Sequence, residues 1–142
     1  MTRDQVVRFF AERREHLRRH DIAALTAGHT DDGVILSPML GVMRGREAIE
    51  SSYRRMFETL PDLDVPEEAQ LLIDGDQVMQ VFRASGTQTH ELFGVSMTGR
   101  RFEITVACRC QMRDGRIAHE LRVYDFTALL LQVGVLKARP GA

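Results

Sequence analysis

From its N-terminus the chain places Val6, Phe9, Phe10, Arg13 and Leu17 at helical spacing, with most of the arginines on the opposite side. Thr2 and Gln5 form a capping box, so the pattern predicts an amphipathic helix running to about His20. Asp21 can cap a second, short helix over "IAALTAG", and "VILSP" reads as a brief strand that Pro38 interrupts. A third helix is predicted over "GREAIESSYRRMFETLPD", where Ala48, Ile49, Ser52, Met56 and Leu60 share one side and Pro61 ends the run.

Beyond Pro61 the period of the pattern changes from helical to alternating. "AQLLI", "QVMQVFRASGTQTH", "RRFEITVACRCQMR" and "RIAHELRVYD" read as strands, separated by turn signals such as Asp74-Gly75-Asp76 and Asp114-Gly115. A last short helix, "TALLLQV", follows them. The Asp114-Gly115 turn predicts a register in which Arg113 faces Arg116 and the pairing continues outward without a break. One face then collects Phe102, Ile104, Val106, Cys108, Cys110 and Met112 with Ile117, His119, Leu121, Val123 and Asp125. The other face sets Arg109 across from Glu120 as an opposite-charge pair. Helices followed by a long antiparallel sheet predict an α+β fold, a cone-shaped curved antiparallel β-sheet wrapped on three N-terminal helices with a short C-terminal helix.

Composition narrows the range of functions. At 142 residues the chain fits one compact domain over 1–142, large enough to enclose a small-molecule cavity. A formal net charge of -1 offers no electrostatic case for nucleic acid. No stretch has the length of a membrane span or the form of an export signal, which leads to the expectation of a cytoplasmic protein with no membrane partner. Basic charge is carried by arginine, with Lys137 the one lysine, a composition like that of high-GC bacterial proteins. Cys108 and Cys110 are read as free thiols, because their spacing suits no disulfide framework.

The segments "GREAIESSYRRMFETLPDLD", "GDQVMQVFRASGTQTHELFGVSMTGRR" and "RDGRIAHELRVYDFTALLLQVGVL" resemble the SnoaL-like polyketide cyclases, within the superfamily shaped like nuclear transport factor two. The likeness runs from about the second helix to Leu136. In that family the strand after a "dGkI" turn carries a "W...D" pattern, whose aspartate is the acid/base of a cofactor-free intramolecular aldol cyclisation. Asp125 falls on that aspartate and Leu121 stands where the tryptophan is usual. The family's "GTHTGEF.G..PTGR" appears as "GTQTHELFGVSMTGR", so Gln88 replaces a pocket histidine, His90 a glycine and Met97 a proline.

Asp125 is therefore the expected catalytic acid/base, with its pKa raised by burial beside Ile104, Val106 and Val123; the competing reading makes it the cap of the last helix. Gln88, His90, His29, Leu121, Val123 and Ile104 are the expected substrate-binding residues. Cys108, Cys110 and His119 suggest zinc at first sight, but no fourth ligand is evident and core packing is favoured; neither metal nor cofactor is expected. Two functions compete: an acid/base lyase or isomerase acting on a bulky apolar carbonyl compound, and a binding protein of the same shape for a small hydrophobic ligand. A homodimer through the outward sheet face, with Arg109 and Glu120 matched across a two-fold axis, is the expected assembly.

Overall fold

The computed structural model describes residues 1–92 and 94–138; residues 93 and 139–142 of the domain expected over 1–142 lie outside the described residues. The chain order is α1 (Arg3–Arg18), α2 (Ile22–Ala27), β1 (His29–Ser37), β2 (Gly41–Arg44), α3 (Gly45–Thr59), β3 (Gln70–Asp74), β4 (Gln77–Thr87), β5 (Arg101–Arg113), β6 (Arg116–Tyr124) and α4 (Phe126–Gln132). The capping box of α1 forms as its sequence implies, with Thr2 and Gln5 exchanging side-chain to backbone hydrogen bonds. The strand expected over "VILSP" is longer, beginning at His29, and it turns through Pro38 to Leu40 into β2, which the polar-apolar pattern did not announce.

The six strands form one curved, unclosed sheet in the order β2-β1-β6-β5-β4-β3. All neighbours pair antiparallel except β1 and β6, which run parallel. The N-terminal helices cover the concave side. Val6 and Phe10 of α1 pack on Val78, Val106, Cys110, Met112 and Ile117, while Leu25 of α2 and Ile49, Tyr53 and Phe57 of α3 pack on Ile35 and Met43. Leu129 and Val133, from and just after α4, close the far end against Leu60, Leu92 and Phe102. Among the described residues no helix is long and apolar enough to cross a membrane.

The register of β5 and β6 departs from the expected one at a single place. Arg113 pairs with Arg116 and Met112 with Ile117, but Gln111 then pairs with His119, leaving Ala118 as an extra residue on β6. This β-bulge reverses every later side chain on the strand. Glu120, Arg122 and Tyr124 turn inward opposite Cys110, Cys108 and Val106, and His119, Leu121 and Val123 turn outward. The inward placement expected for Asp125, His119, Leu121 and Val123 is corrected accordingly. The Arg109–Glu120 pair does not form, since Arg109 faces Leu121. A hairpin turn sets register only as far as the ladder stays regular, and nothing in "RIAHEL" signals the bulge beforehand.

A second irregularity lies in β1, whose pairing to β6 shifts between His29 and Val34. Gly33 is buried in this bend, and a Cβ there would lie 2.9 Å from the Thr30 carbonyl oxygen and 3.3 Å from Ile49 Cδ1. Gly33→Ala is therefore expected to lower stability by about 1–3 kcal/mol through overpacking, read as a lower urea midpoint at unchanged slope. An unchanged midpoint would mean that the bend has room that the geometry does not provide.

Candidate active site

Four elements bring polar side chains to one point on the concave side. Arg13 lies on the buried face of α1, one turn beyond Phe10. Tyr53 occupies the buried face of α3 between Ile49 and Phe57, at the four-residue spacing that stacks side chains along a helix. His29 opens β1, and the bulge supplies Glu120 and Arg122 from β6.

The Tyr53 hydroxyl stands at the centre. Its oxygen accepts from Arg13 Nη2 at 2.5 Å and from Arg122 Nη2 at 3.3 Å. With both lone pairs engaged, its proton points to His29 Nε2, 3.0 Å away. His29 is thereby assigned as the Nδ1-protonated neutral tautomer, and its buried Nδ1 has no partner among the described residues. Glu120 receives Arg122 Nε on Oε1 at 3.1 Å, and Arg13 Nη2 lies 3.4 Å from its Oε2. Both guanidinium carbons lie over the Tyr53 ring, 5.8 Å and 5.6 Å from its centroid for Arg13 and Arg122.

Burial sets the charge states. It opposes ionisation of Glu120, but Arg122 and Arg13 outweigh it and hold the carboxyl down at about 2. Burial, reinforced by the positive charge of Arg13, lowers His29 to about 3, so the imidazole is neutral at physiological pH. Burial raises the Tyr53 phenol and pushes the Cys108 thiol up to about 12. Both cysteines are thus inert, buried thiols beside the cluster.

These groups form the floor of a cavity of about 680 Å³, which Arg13, Tyr53, Glu120 and Arg122 line from below. Its walls are mostly apolar: Leu40, Met43 and Met56 on one side, Phe82, Phe102, Ile104, Val106, Phe126 and Leu129 on the other. Ser37 and Tyr124 share a 3.0 Å hydroxyl contact on the wall, and Arg55 and Glu91 also line the cavity. An apolar chamber ending in a few convergent polar groups is the common form of a small-molecule site.

Of the residues expected from the sequence, only Ile104 lines this cavity. Asp125 is exposed and caps α4, its Oδ1 accepting the Ala128 N–H at 2.9 Å. Gln88 is buried but clamps its own loop, donating to the Val95 and Ser96 carbonyls and accepting from the Thr98 hydroxyl. His90 is exposed beside Thr89. His29 is in the cluster, supporting Tyr53 from behind the lining residues. Leu121 and Val123 lie on the outward sheet face. His119 also turns outward, away from the two thiols, and among the described residues no cluster of three His, Cys, Asp or Glu side chains is arranged to hold a metal.

The signals for the missed residues were faint but physical. Arg13 stands among apolar positions of α1, and Tyr53 continues the Ile49 stripe of α3. Glu120 and Arg122 alternate with Leu121 and Val123, so hydrophobic patterning alone turns the wrong set inward.

A curved, unclosed sheet with N-terminal helices over its concave cavity defines the class shaped like nuclear transport factor two. The chain belongs to the SnoaL-like polyketide cyclase family, whose model matches residues 4–133. TsrD from Streptomyces laurentii has a similar structure, with TM-score 0.81 at 23% identity over 96% of this chain and 99% of that one. IdmH from Streptomyces antibioticus, described as a candidate polyketide cyclase, gives TM-score 0.75 at 29% identity over 89% and 96%. A candidate polyketide cyclase from Xanthomonas campestris pv. campestris gives 0.83 at 19% identity over 92% and 98%. No curated protein sequence matches the chain.

The cluster has a pH signature. His29 titrates at its ordinary 6.5 when unfolded but at about 3 when folded, so between these values the unfolded chain binds the extra proton. Stability contributed by neutral His29 is complete above 6.5 and is lost as pH falls toward 3, whereas loss from Glu120 begins only below its ordinary 4.5. Urea unfolding should show stability falling by about 1.4 kcal/mol per pH unit well below the histidine range. His29→Gln should flatten the slope between about pH 6 and about pH 5. An equally steep slope in the variant would place the titration elsewhere.

Proposed function

We propose that the protein catalyses an aldol-type cyclisation or isomerisation of a bulky, mainly apolar carbonyl compound, by acid/base chemistry that its own side chains carry. The observation that supports this most directly is the convergence of two guanidinium groups on an ionised carboxylate, with a tyrosine hydroxyl bonded to both guanidiniums, at the floor of an apolar cavity. A substrate carbonyl oxygen seated on Arg122 beside Tyr53 meets fixed donors as it gains enolate charge, in surroundings where such donors act strongly. Glu120 takes the proton from the adjacent carbon while the C–H electron pair moves into the enolate. After carbon–carbon bond formation the carboxyl returns that proton to the new alkoxide. A carboxylate that Arg122 and Arg13 hold well below the usual range is a weak base, suited to carbon acids activated by a second carbonyl, as in a poly-β-ketone. Asp125, as the cap of α4, takes no part in this scheme.

Deuterium incorporation at C2 of ethyl 3-(2-naphthyl)-3-oxopropanoate in heavy water, followed by NMR, tests the assignment. The wild type should accelerate exchange, Glu120→Gln should abolish the acceleration, and Arg122→Gln should reduce it by about a hundredfold. Asp125→Asn should leave it unchanged. Full acceleration in folded Glu120→Gln, or its loss in Asp125→Asn, would overturn the scheme.

The same reading includes a homodimer through the convex face. Val42, Leu36, Leu121, Arg109, Met79 and Leu72 form one row across all six strands, and Val42 and Leu72 are 52% and 74% exposed. With Glu120 turned inward, apolar contact rather than charge matching supports the pairing. Sedimentation should give twice the 16.1 kDa chain mass, and Leu121→Arg should give the monomer. A wild-type monomer at micromolar concentration would refute the dimer.

A further inference from the structure

The charges of the cavity do not balance. Its charged lining residues are Arg13, Arg55, Arg122, Glu91 and Glu120, three cations against two anions. Within the floor itself, Glu120 stands against both Arg13 and Arg122, and His29 behind them is neutral. The surplus is open to a ligand at Arg122. Its Nε goes to Glu120 and its Nη2 to Tyr53, while Nη1 has no hydrogen-bond partner among the described residues. The Arg122 side chain is 13% exposed, against 7% for Arg13 and 3% for Glu120, and the residue lines the cavity. A buried guanidinium short of one counter-charge is costly, and a ligand that supplies it gains accordingly.

We propose that the ligand of this cavity is an acid, bearing a carboxylate that seats on Nη1 of Arg122, next to the reacting carbonyl, with its apolar body against Phe82, Phe102 and Phe126. The proposal rests on the reading of this cavity as the substrate site and adds that the substrate is charged in its ground state, before any proton is taken. The planar guanidinium is suited to this because its remaining donors lie in one plane, Nη1 for the carboxylate and Nη2 for the adjacent carbonyl oxygen. Contact with the Tyr53 ring holds that plane in place. A neutral ketone would leave the surplus charge uncompensated.

Fluorescence titration with pyrene-1-carboxylate and its neutral counterpart pyrene-1-carboxamide tests this. The carboxylate is expected to bind at least about tenfold more tightly to the wild type. Arg122→Gln should remove the preference, and Glu120→Gln, which adds to the surplus, should increase it; the opposite directions separate charge from misfolding, with circular dichroism confirming the fold of each. Equal affinity for the two probes would overturn the acidic ligand class while leaving the cavity as the binding site. No binding of either would overturn both. A preference unchanged in Arg122→Gln would remove Arg122 as the anchor and the proposal with it.

Discussion

The Glu120 carboxylate, held in the interior between two guanidinium groups, is the interaction on which the concave side is organised. An unpaired carboxylate there costs several kcal/mol. Arg122 on its own strand and Arg13 from α1 offset that cost, and Tyr53 from α3 engages both guanidiniums in turn. Helix docking and charge compensation are therefore coupled: α1 and α3 cannot withdraw from the sheet without stranding a buried charge. Apolar residues of similar volume often stabilise such a position equally well. A cluster of two arginines, a glutamate, a tyrosine and a histidine at the floor of a ligand-sized cavity is thus not required by stability alone, which accords with the proposed chemistry.

The bulge at Ala118 makes the cluster possible. It lets Ile117 pack into the core with the α1 contacts while Glu120 and Arg122, a few residues on, also face inward. The cost is a pair of hydrophobic side chains, Leu121 and Val123, turned to the convex face, where they join the exposed apolar row. One local irregularity thus polarises the cavity floor and makes the outer sheet face apolar.

Two conspicuous polar residues serve the scaffold. Asp125 starts α4, whose Leu129 helps to close the cavity's far end. Gln88 uses both ends of its amide to pin the loop from Val95 to Thr98, and Leu92, in the same loop, lines the cavity. Both are neighbours of the apolar chamber without presenting a charge to it. A polar residue next to a hydrophobic run is therefore as consistent with holding backbone groups as with holding substrate.

Helices α1 and α3, the hairpin turn at Asp114-Gly115, the strands β3 to β6 and the α+β class were legible because each rests on local physics: periodicity, capping and turn conformation. The family likeness was legible for the same reason, since the order and spacing of elements survive in the chain. The candidate site was legible only in fragments. Of the residues expected to bind substrate, Ile104 lines the cavity and His29 stands behind it, while Arg13 gave no sign of its role on its apolar stripe and the regular register turns Glu120 and Arg122 outward. Hydrophobic alternation is a good guide to a strand's inward face only while the ladder is regular and buried groups are apolar, and β6 breaks both conditions. Whether a carboxylate is buried depends on counter-charges brought by elements more than a hundred residues away in sequence, as Arg13 is from Glu120. Such long-range compensation leaves no local trace, so the sequence by itself determined the elements and their class, and only the tertiary structure decided which side chains meet in the cavity.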